Sequence, residues 1–229
     1  MSRKFLFSFL ILFLLVSLSA CASRDMTTNN SPYIKEPIKN NGNGNNNNNS
    51  KNNMNQEILK EYSQAEFQTN LGNFTIEFFN DKMPITVSNF LSLAQDGYFD
   101  EIKFHRIIDG FMIQGGDPLT KNDDMMTLWG TGGPGYAIPD EHVLSPELTN
   151  TYGTISMANS GPNSGGSQFF INVADNSFLD FDKHPISSKH PVFGKVVSGI
   201  NVIEKIAKVK TGQNDRPVDP VIIKKIDLK

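Results

Sequence analysis

The chain has 229 residues, of which 38% are hydrophobic and 20% are charged, a balance typical of one globular domain with appended segments. Its 24 acidic and 21 basic side chains give a formal net charge of −3, so the composition lacks the basic footprint of a nucleic-acid-binding protein. The single cysteine, Cys21, excludes an intramolecular disulfide.

The first twenty residues have the pattern of a signal peptide. Arg3 and Lys4 supply a charged start, and the run from residue 5 to residue 18 is apolar apart from two serines. This run is shorter than the ~20 residues that a membrane-spanning helix needs, but it suits the hydrophobic region of a signal peptide. We therefore predict that residues 1–20 direct export and are removed.

The cysteine that follows lies in a short motif. Leu18-Ser19-Ala20-Cys21 resembles the bacterial lipobox, in which the cysteine is lipidated and becomes the new N-terminus. The resemblance implies palmitate-type acyl chains on Cys21 and an extracytoplasmic lipoprotein anchored to a bacterial membrane, on the periplasmic side or the outer surface. Each buried CH₂ contributes ~0.8 kcal/mol, so several chains would anchor the protein stably. The alternative is an ordinary signal peptide with an incidental cysteine.

Residues 21–60 are predicted to form the lipidated N-terminus and a disordered linker. Eleven of the sixteen residues from Asn40 to Asn55 are asparagine, and the stretch has few apolar side chains to bury. A spacer between membrane and domain is the simplest interpretation, and a self-associating asparagine tract is the alternative. Residues 61–229 are predicted to form one domain, with a monomer as the default oligomeric state.

The domain begins with a predicted hairpin over residues 66–80, in which two alternating segments flank a turn at residues 70–73. A helix is predicted to begin at Pro84, which suits a first turn, and to end before Gly97, which suits the position after a helix end. Its apolar stripe has helical spacing and consists of Val87, Phe90, Leu91 and Ala94.

Further along the chain, short β-type segments alternate with glycine and proline. Predicted strands cover Ile102–Ile107, Phe111–Gly115, Gly153–Ala158, Ser167–Asn172, Pro191–Val197 and Val221–Leu228. A second helix is predicted over Ile200–Lys208, with an inward face of Val202, Ile203, Ile206 and Ala207. Many short strands with two helices favour a mainly β protein, a closed barrel with capped ends.

Several motifs in the domain match the pattern of one known family. They are Phe104–Asp117, Gly130–Tyr136, Ser156–Ile171, Phe178–Asp180 and Lys189–Val196. Across residues 64–229 these motifs, in this order, resemble the cyclophilins, which are peptidyl-prolyl cis/trans isomerases (rotamases). The resemblance implies a closed eight-stranded antiparallel β-barrel capped by two α-helices, with a proline pocket on its outer surface. It also implies proline-containing polypeptides as partners, a role in protein folding, and no cofactor or metal.

The resemblance implies roles for individual residues. The catalytic arginine of the family falls on Arg106. The apolar wall that receives the proline ring falls on Phe111, Met112, Phe170 and Leu179. Polar side chains near the substrate backbone fall on Gln114 and Gln168, and the main chain that pairs with the peptide falls on Asn159. Positions of the neighbouring groove and the pocket rim fall on Gly130, Ala158, Phe178 and His190.

The chemistry of prolyl isomerisation makes sense of these residue types. Rotation about an X–Pro bond must break amide resonance, against an activation energy of ~20 kcal/mol. In the twisted state the proline nitrogen becomes pyramidal and basic, so a donor aimed at its lone pair stabilises that state over the planar one. The planar, permanently charged guanidinium of Arg106 suits this role, and an apolar pocket both holds the ring and excludes water.

Other interpretations of the same residues stay open. Arg106 on a strand could be a surface ion-pair partner, and the domain could be a non-catalytic module that binds peptides. His105 is expected to be structural rather than catalytic. Phe169 and Phe170 are adjacent on a predicted strand, so one should enter the core while the other can line a surface pocket.

The sequence departs from the best-known cyclophilins in two places. Phe178 stands where many members have tryptophan, and the resemblance therefore implies weakened binding of cyclosporin, whose contact includes that indole N–H. Phe181 to Ser188 form an insertion beside His190 that resembles a bacterial-type extension. A metal site at Asp182, His184 and His190 is disfavoured, because the spacing is poor and a proline directly follows each histidine.

Overall fold

The computed structural model describes residues 56–183 and 189–229. The predicted signal peptide, Cys21 and most of the predicted linker lie outside these residues, as do residues 184–188 of the predicted insertion. None of the helices in the described ranges combines the length and the apolar character that crossing a membrane requires.

The described chain begins with a short helix, α1, over residues 56–61. Ile58 on this helix is 5% exposed and belongs to the core, and Leu59 packs against the same core. The side-chain amide of Asn80 donates hydrogen bonds to the backbone oxygens of Leu59 (2.6 Å) and Tyr62 (2.7 Å). The packed domain therefore starts before residue 61, because apolar side chains assigned to the linker fill core positions.

Both predicted helices are present. α2 (Pro84–Gln95) buries its apolar stripe of Val87, Phe90, Leu91 and Ala94. Gly97, two residues beyond its end, has the left-handed backbone expected there. α3 (Ile200–Ala207) buries Ile203, Ile206 and Ala207, whereas Val202 is half-buried.

The strands match the predicted segments closely. They are β1 (Gln64–Thr69), β2 (Gly72–Phe78), β3 (Ile102–Lys103), β4 (Arg106–Ile108), β5 (Met112–Gly115), β6 (Thr154–Met157), β7 (Phe169–Asn172), β8 (Val192–Ser198) and β9 (Ile222–Leu228). All named pairs are antiparallel, and the sheet order is β3-β9-β1-β2-β8-β6-β7-β5-β4. The mainly β architecture is therefore confirmed.

The two edges of this curled sheet meet along one continuous stretch of chain. β3 pairs with β9 and β4 pairs with β5, and only Phe104 and His105 separate β3 from β4. The backbone N–H of Phe104 donates to the oxygen of Val221 (2.9 Å), and that of His105 donates to the oxygen of Gln114 (3.0 Å). The described part of the chain has nine strands rather than eight, because this switch of partners divides the single strand predicted over Ile102–Ile107.

Phenylalanine rings fill the interior. Phe67 stacks on Phe74 with ring centroids 4.6 Å apart, and Phe90 stacks on Phe99 at 4.8 Å. Phe169 meets the rings of Phe67, Phe90 and Phe99 edge-on, an arrangement that aromatic quadrupoles favour. These five rings are at most 1% exposed, so much of the phenylalanine content of the chain forms the core.

Two glycines can be compared to test how closely α3 packs against β2. Gly199, which caps α3, has φ +77, and a Cβ there would meet the backbone oxygen of Asn73 and lie 2.7 Å from Cα of Phe74. Gly110 has a similar φ of +72 but has nothing within 4 Å of that position.

We expect Gly110→Ala to lower the free energy of unfolding by about 1–2 kcal/mol, the cost of a left-handed alanine. Gly199→Ala should cost about 3 kcal/mol or more, because backbone must also shift to admit the methyl group. Urea denaturation of both variants measures the difference. Equal losses would contradict the close approach of α3 to β2.

Candidate active site

A row of side chains crosses the outer face of the sheet where three strands lie side by side. In the register of β4, β5 and β7, Arg106 is opposite Gln114, and Gln114 is opposite Phe170. Directly paired residues share a face of the sheet, so these three side chains leave the same side. The alternate row of Ile107, Ile113 and Ile171 is at most 1% exposed and lies in the core. The Arg106 row therefore faces away from the core.

An apolar cluster beside this row is separate from the main core. Met112, Phe170 and Leu179 are between 2% and 7% exposed, and Ile108, Phe111 and Ala158 pack against them. The structure thus brings together all four residues predicted to form the proline wall. Ile108 also belongs to this cluster, although it is not among the predicted site residues. Strand alternation indicates it, because it is two residues beyond Arg106 and pairs with Met112.

Phe169 and Phe170 divide between interior and surface as strand alternation predicts. Phe169 is fully buried in the main core, whereas Phe170 belongs to the outer cluster. His190 places its ring edge-on to Phe170, with centroids 5.3 Å apart. Nδ1 of His190 lies 3.1 Å from the oxygen of Met157 and donates to it, while burial lowers the pKa of this histidine. His190 therefore presents a neutral ring to the cluster near neutral pH.

Phe178 forms the exposed edge of the cluster. It lies on the 3₁₀ turn Ser177–Leu179, which sends Leu179 into the cluster and leaves Phe178 51% exposed. Its ring stacks on Phe111 with centroids 6.1 Å apart and planes 14° from parallel. The pair offers an open aromatic surface next to the buried wall.

A groove of about 430 Å³ adjoins the cluster. It is lined by five residues predicted to contact substrate, namely Gln114, Gly130, Ala158, Asn159 and Gln168. Nε2 of Gln114 donates to Oε1 of Gln168 (3.1 Å), and Nε2 of Gln168 donates to the backbone oxygens of Gly130 (3.0 Å) and Gly132 (2.8 Å). The side-chain amide of Asn159 donates to the oxygen of Lys189 (2.6 Å). Ala158 contacts both the cluster and the groove, so the two are continuous.

Asp117 supports the groove from below, and sequence reasoning gave it no role. Its side chain is fully buried and accepts hydrogen bonds from the backbone N–H groups of Leu119 (2.8 Å), Gly130 and Gly132 (3.2 Å). A Cβ on Gly132 would collide with the Asp117 carboxylate. The glycine-rich wall therefore wraps around this carboxylate, and an aspartate preceding Pro118 was the one sequence signal of such a cap.

A buried polar network supports the other wall, and it too was absent from the predictions. The backbone N–H and side-chain amide of Asn150 donate to Oδ1 of Asp180 (2.8 and 2.9 Å), and the amide also donates to the oxygen of His190 (3.0 Å). The amide of Asn176 donates to the oxygens of Phe111 (2.7 Å) and Asn172 (2.8 Å). Such satisfied networks rigidify what they connect. Here they join the segments that carry Phe111, Leu179 and His190.

Arg106 stands at the open end of the row. Its side chain is 41% exposed, and Nε lies 3.4 Å from Oδ2 of Asp215. Arg106 therefore forms an ion pair, which is the alternative role given for it above. The pair lies on the same face of the sheet as the apolar cluster.

The comparisons with known proteins agree with this arrangement. The family model described as "Cyclophilin type peptidyl-prolyl cis-trans isomerase/CLD" matches residues 64–228. The chain belongs to this family. The cyclophilin match covers every residue of the cluster and the groove described above.

Relatives within the cyclophilin family are similar over most of their length. "Peptidyl-prolyl cis-trans isomerase-like 1" of Aspergillus fumigatus is 46% identical over 159 residues, which cover 69% of this chain and 89% of the relative. The isomerase ppi1 of Schizosaccharomyces pombe is 40% identical over 171 residues, which cover 72% and 99%. A crystal structure of a Cryptosporidium parvum cyclophilin in the presence of the dipeptide Ala-Pro has a TM-score of 0.61 and 32% identity, with 72% and 98% covered.

No three His, Cys, Asp or Glu side chains within residues 56–183 and 189–229 are grouped so as to hold a metal ion. His184, one member of the alternative metal site, lies outside the described residues.

His105 is buried between the Arg106 row and the groove. It is 6% exposed, and a Cβ on Gly130 would lie 3.6 Å from Nε2 of its ring. Burial lowers the pKa of His105 to about 4, with Arg106 and Arg216 adding to the effect and Asp117 opposing it. His105 thus lies beneath the wall of the groove and resists protonation. Both features fit the structural role expected for it.

This histidine predicts an acid-sensitive stability. Well above pH 6.5, His105 is neutral in the unfolded and the folded state and does not make stability depend on pH. At lower pH the unfolded chain binds a proton at this residue, whereas the folded protein binds it only near pH 4. The free energy of unfolding should therefore fall by about 2 kcal/mol between pH 7 and pH 5 through this residue.

Urea denaturation at the two pH values checks this expectation. His105→Gln should lose most of the pH dependence, although His190 keeps a smaller share of it. His142→Gln changes an exposed histidine and serves as the control. An undiminished pH dependence in His105→Gln would contradict the assignment.

Proposed function

We propose that this protein accelerates cis/trans rotation about X–Pro bonds in exported polypeptides and thereby assists their folding. One observation carries the proposal, namely that Arg106 and an apolar cluster distinct from the core share the outer face of adjacent strands. The reaction requires a guanidinium next to an apolar surface that can bind a proline ring.

In this proposal the cluster holds the proline ring. The ring packs on Met112, Phe170 and Leu179, which are buried and leave no room for water beneath it. The residue before the proline then rotates while the ring stays fixed. Fixing one side of the bond removes the orientational freedom that an unbound peptide must lose on reaching the twisted state.

Arg106 supplies the electrostatic part. As the amide twists, its nitrogen gains a lone pair, and an N–H of the guanidinium donates to it more strongly than to the planar amide. A hydrogen bond to a charged group contributes ~1.5–3 kcal/mol, whereas a 10⁶-fold acceleration would need ~8 kcal/mol. Arg106 therefore acts together with ring fixation and water exclusion.

The adjoining groove takes the peptide on one side of the proline. Gln114 and Gln168 provide amide groups, and Asn159, whose main chain is proposed to pair with the peptide, lines the same groove. The Cryptosporidium relative was crystallised in the presence of the dipeptide Ala-Pro, which makes an Ala-Pro peptide a suitable test ligand for this groove. Because Phe178 offers a ring but no N–H, we assign weak binding of cyclosporin. The protein is proposed to act as a monomer.

Arg106 variants test the catalytic role. In a protease-coupled assay on a short X–Pro peptide with the purified full-length protein, Arg106→Ala should lower kcat/KM by ~10- to 100-fold. Arg106→Lys should lose less, because it keeps the charge but not the planar fork. Lys225→Ala, an exposed ion-paired lysine on β9, is the control and should keep wild-type activity.

Two results would contradict the proposal. If the wild-type protein is no faster than the uncatalysed reaction, the isomerase assignment fails and the non-catalytic peptide-binding module takes its place. If Arg106→Ala is as fast as wild type, Arg106 has no catalytic role.

We also propose that the protein is a bacterial lipoprotein, held outside the cytoplasm by lipid on Cys21. The support is the sequence pattern of residues 1–21, in which a charged start and an apolar run precede the lipobox-like Leu18-Ser19-Ala20-Cys21. Several acyl chains would hold it stably, and residues 22–55 would separate the domain from the membrane.

Mass spectrometry of the mature N-terminus tests the anchor. Expressed in a bacterium, the full chain should begin at Cys21 with the mass of attached lipid and should fractionate with membranes. Cys21→Ser should move to the soluble fraction, because the acceptor thiol is gone. A mature chain with an unmodified Cys21 would rule the anchor out.

A further inference from the structure

The ion pair of Arg106 comes from a distant part of the chain. Asp215 lies on the 3₁₀ turn Gln213–Asp215, shortly before β9, and its Oδ2 is 3.4 Å from Nε of Arg106. Nε is the inner donor of the guanidinium, so this contact leaves the terminal nitrogens as the groups that can reach a substrate.

We propose that Asp215 is a positioning residue, which holds the guanidinium of Arg106 in the orientation needed to meet the twisted X–Pro bond. This inference rests on the proposed isomerase activity. It adds a carboxylate that neither alternation nor motif spacing could indicate.

Backbone strain at this turn is the second observation. Asn214 (φ 61) and Asp215 (φ 56) are consecutive non-glycine residues in the left-handed region. The other such residues in the described ranges, Glu101 and Asn163, are isolated. Asparagine and aspartate tolerate this region better than other non-glycine residues, but usually as single residues, so two in succession mark a turn whose shape the surroundings impose. This unusual backbone lies at the residue that contacts Arg106.

The turn is braced on both sides. At its base, the N–H of Gly212 donates to the oxygen of Arg216 (2.8 Å), and the N–H of Val218 donates to the oxygen of Lys210 (2.9 Å). Nη2 of Arg216 donates to the oxygen of Met126 (2.8 Å), and its guanidinium lies 4.8 Å from the ring centroid of Trp129. Asp215 is thus presented by a fixed turn that is tied to the segment preceding Gly130.

Stability alone does not account for this arrangement. The side chains of Arg106 and Asp215 are 41% and 47% exposed, and such pairs contribute only ~0–1 kcal/mol to folding. Orientation is a better account, because a free arginine side chain carries ~2 kcal/mol of rotamer entropy that must be lost when it engages the substrate.

Three variants of the full-length protein separate orientation from structure. With cis-peptide concentration varied so that kcat and KM are resolved, Asp215→Ala should lower kcat ~10-fold and leave KM within ~2-fold. Asp215→Asn removes the charge of the ion pair but keeps the size of the side chain and tolerates the left-handed region, so its kcat should fall between those of wild type and Asp215→Ala. Asp219→Ala removes another exposed carboxylate from the same segment and is the control, so kcat should be unchanged.

A double-mutant cycle decides whether Asp215 acts through Arg106. In the Arg106→Ala background, Asp215→Ala should cause no further loss of kcat. Additive losses would overturn the inference, and so would wild-type kcat and KM in a folded Asp215→Ala protein, or a fall in kcat matched by a rise in KM. These failures differ from failure of the proposed function, in which the wild-type protein itself shows no acceleration.

Discussion

The site depends on one constraint of β-structure, the alternation of side chains along the register that joins β4, β5 and β7. The same strands that send Ile107, Ile113 and Ile171 inward must send their neighbours outward. Arg106 and Phe170 consequently share a surface because their strand neighbours Ile107 and Ile171 fill the core. A shift of register by one residue would bury the arginine and expose the isoleucines, so folding and site assembly are a single event.

Met112 and Phe170 lie on strands, but the other walls of the site come from loops, and buried polar groups hold those loops in place. Asp117 fixes the glycine-rich wall of the groove, and the network around Asn150 and Asn176 fixes the segments of Phe111 and Leu179. A reaction without a covalent intermediate relies on placement, so rigidity of the walls matters as much as the chemistry of any one side chain. The strained turn at Asp215 extends this principle to the arginine.

The features that the sequence could predict were mostly local contacts or repeating patterns of side chains. The stripe of α2, the hairpin of β1 and β2, and the opposite fates of Phe169 and Phe170 follow from periods of 3.6 and 2. The proline wall came from motif resemblance, and the structure brings its members together. Contacts between remote segments left no such signal: Asp215 reaches Arg106 only because the sheet curls, and the buried asparagines have no periodicity. The division of the strand at Phe104 and His105 depends on how the two sheet edges meet.

The most direct measurement is a crystal structure of this protein with a bound Ala-Pro peptide. The account predicts that the proline ring lies on Met112, Phe170 and Leu179, with a guanidinium nitrogen of Arg106 within hydrogen-bonding distance of the prolyl nitrogen. A ring bound elsewhere, or an Arg106 side chain turned away from an occupied cluster, would contradict it.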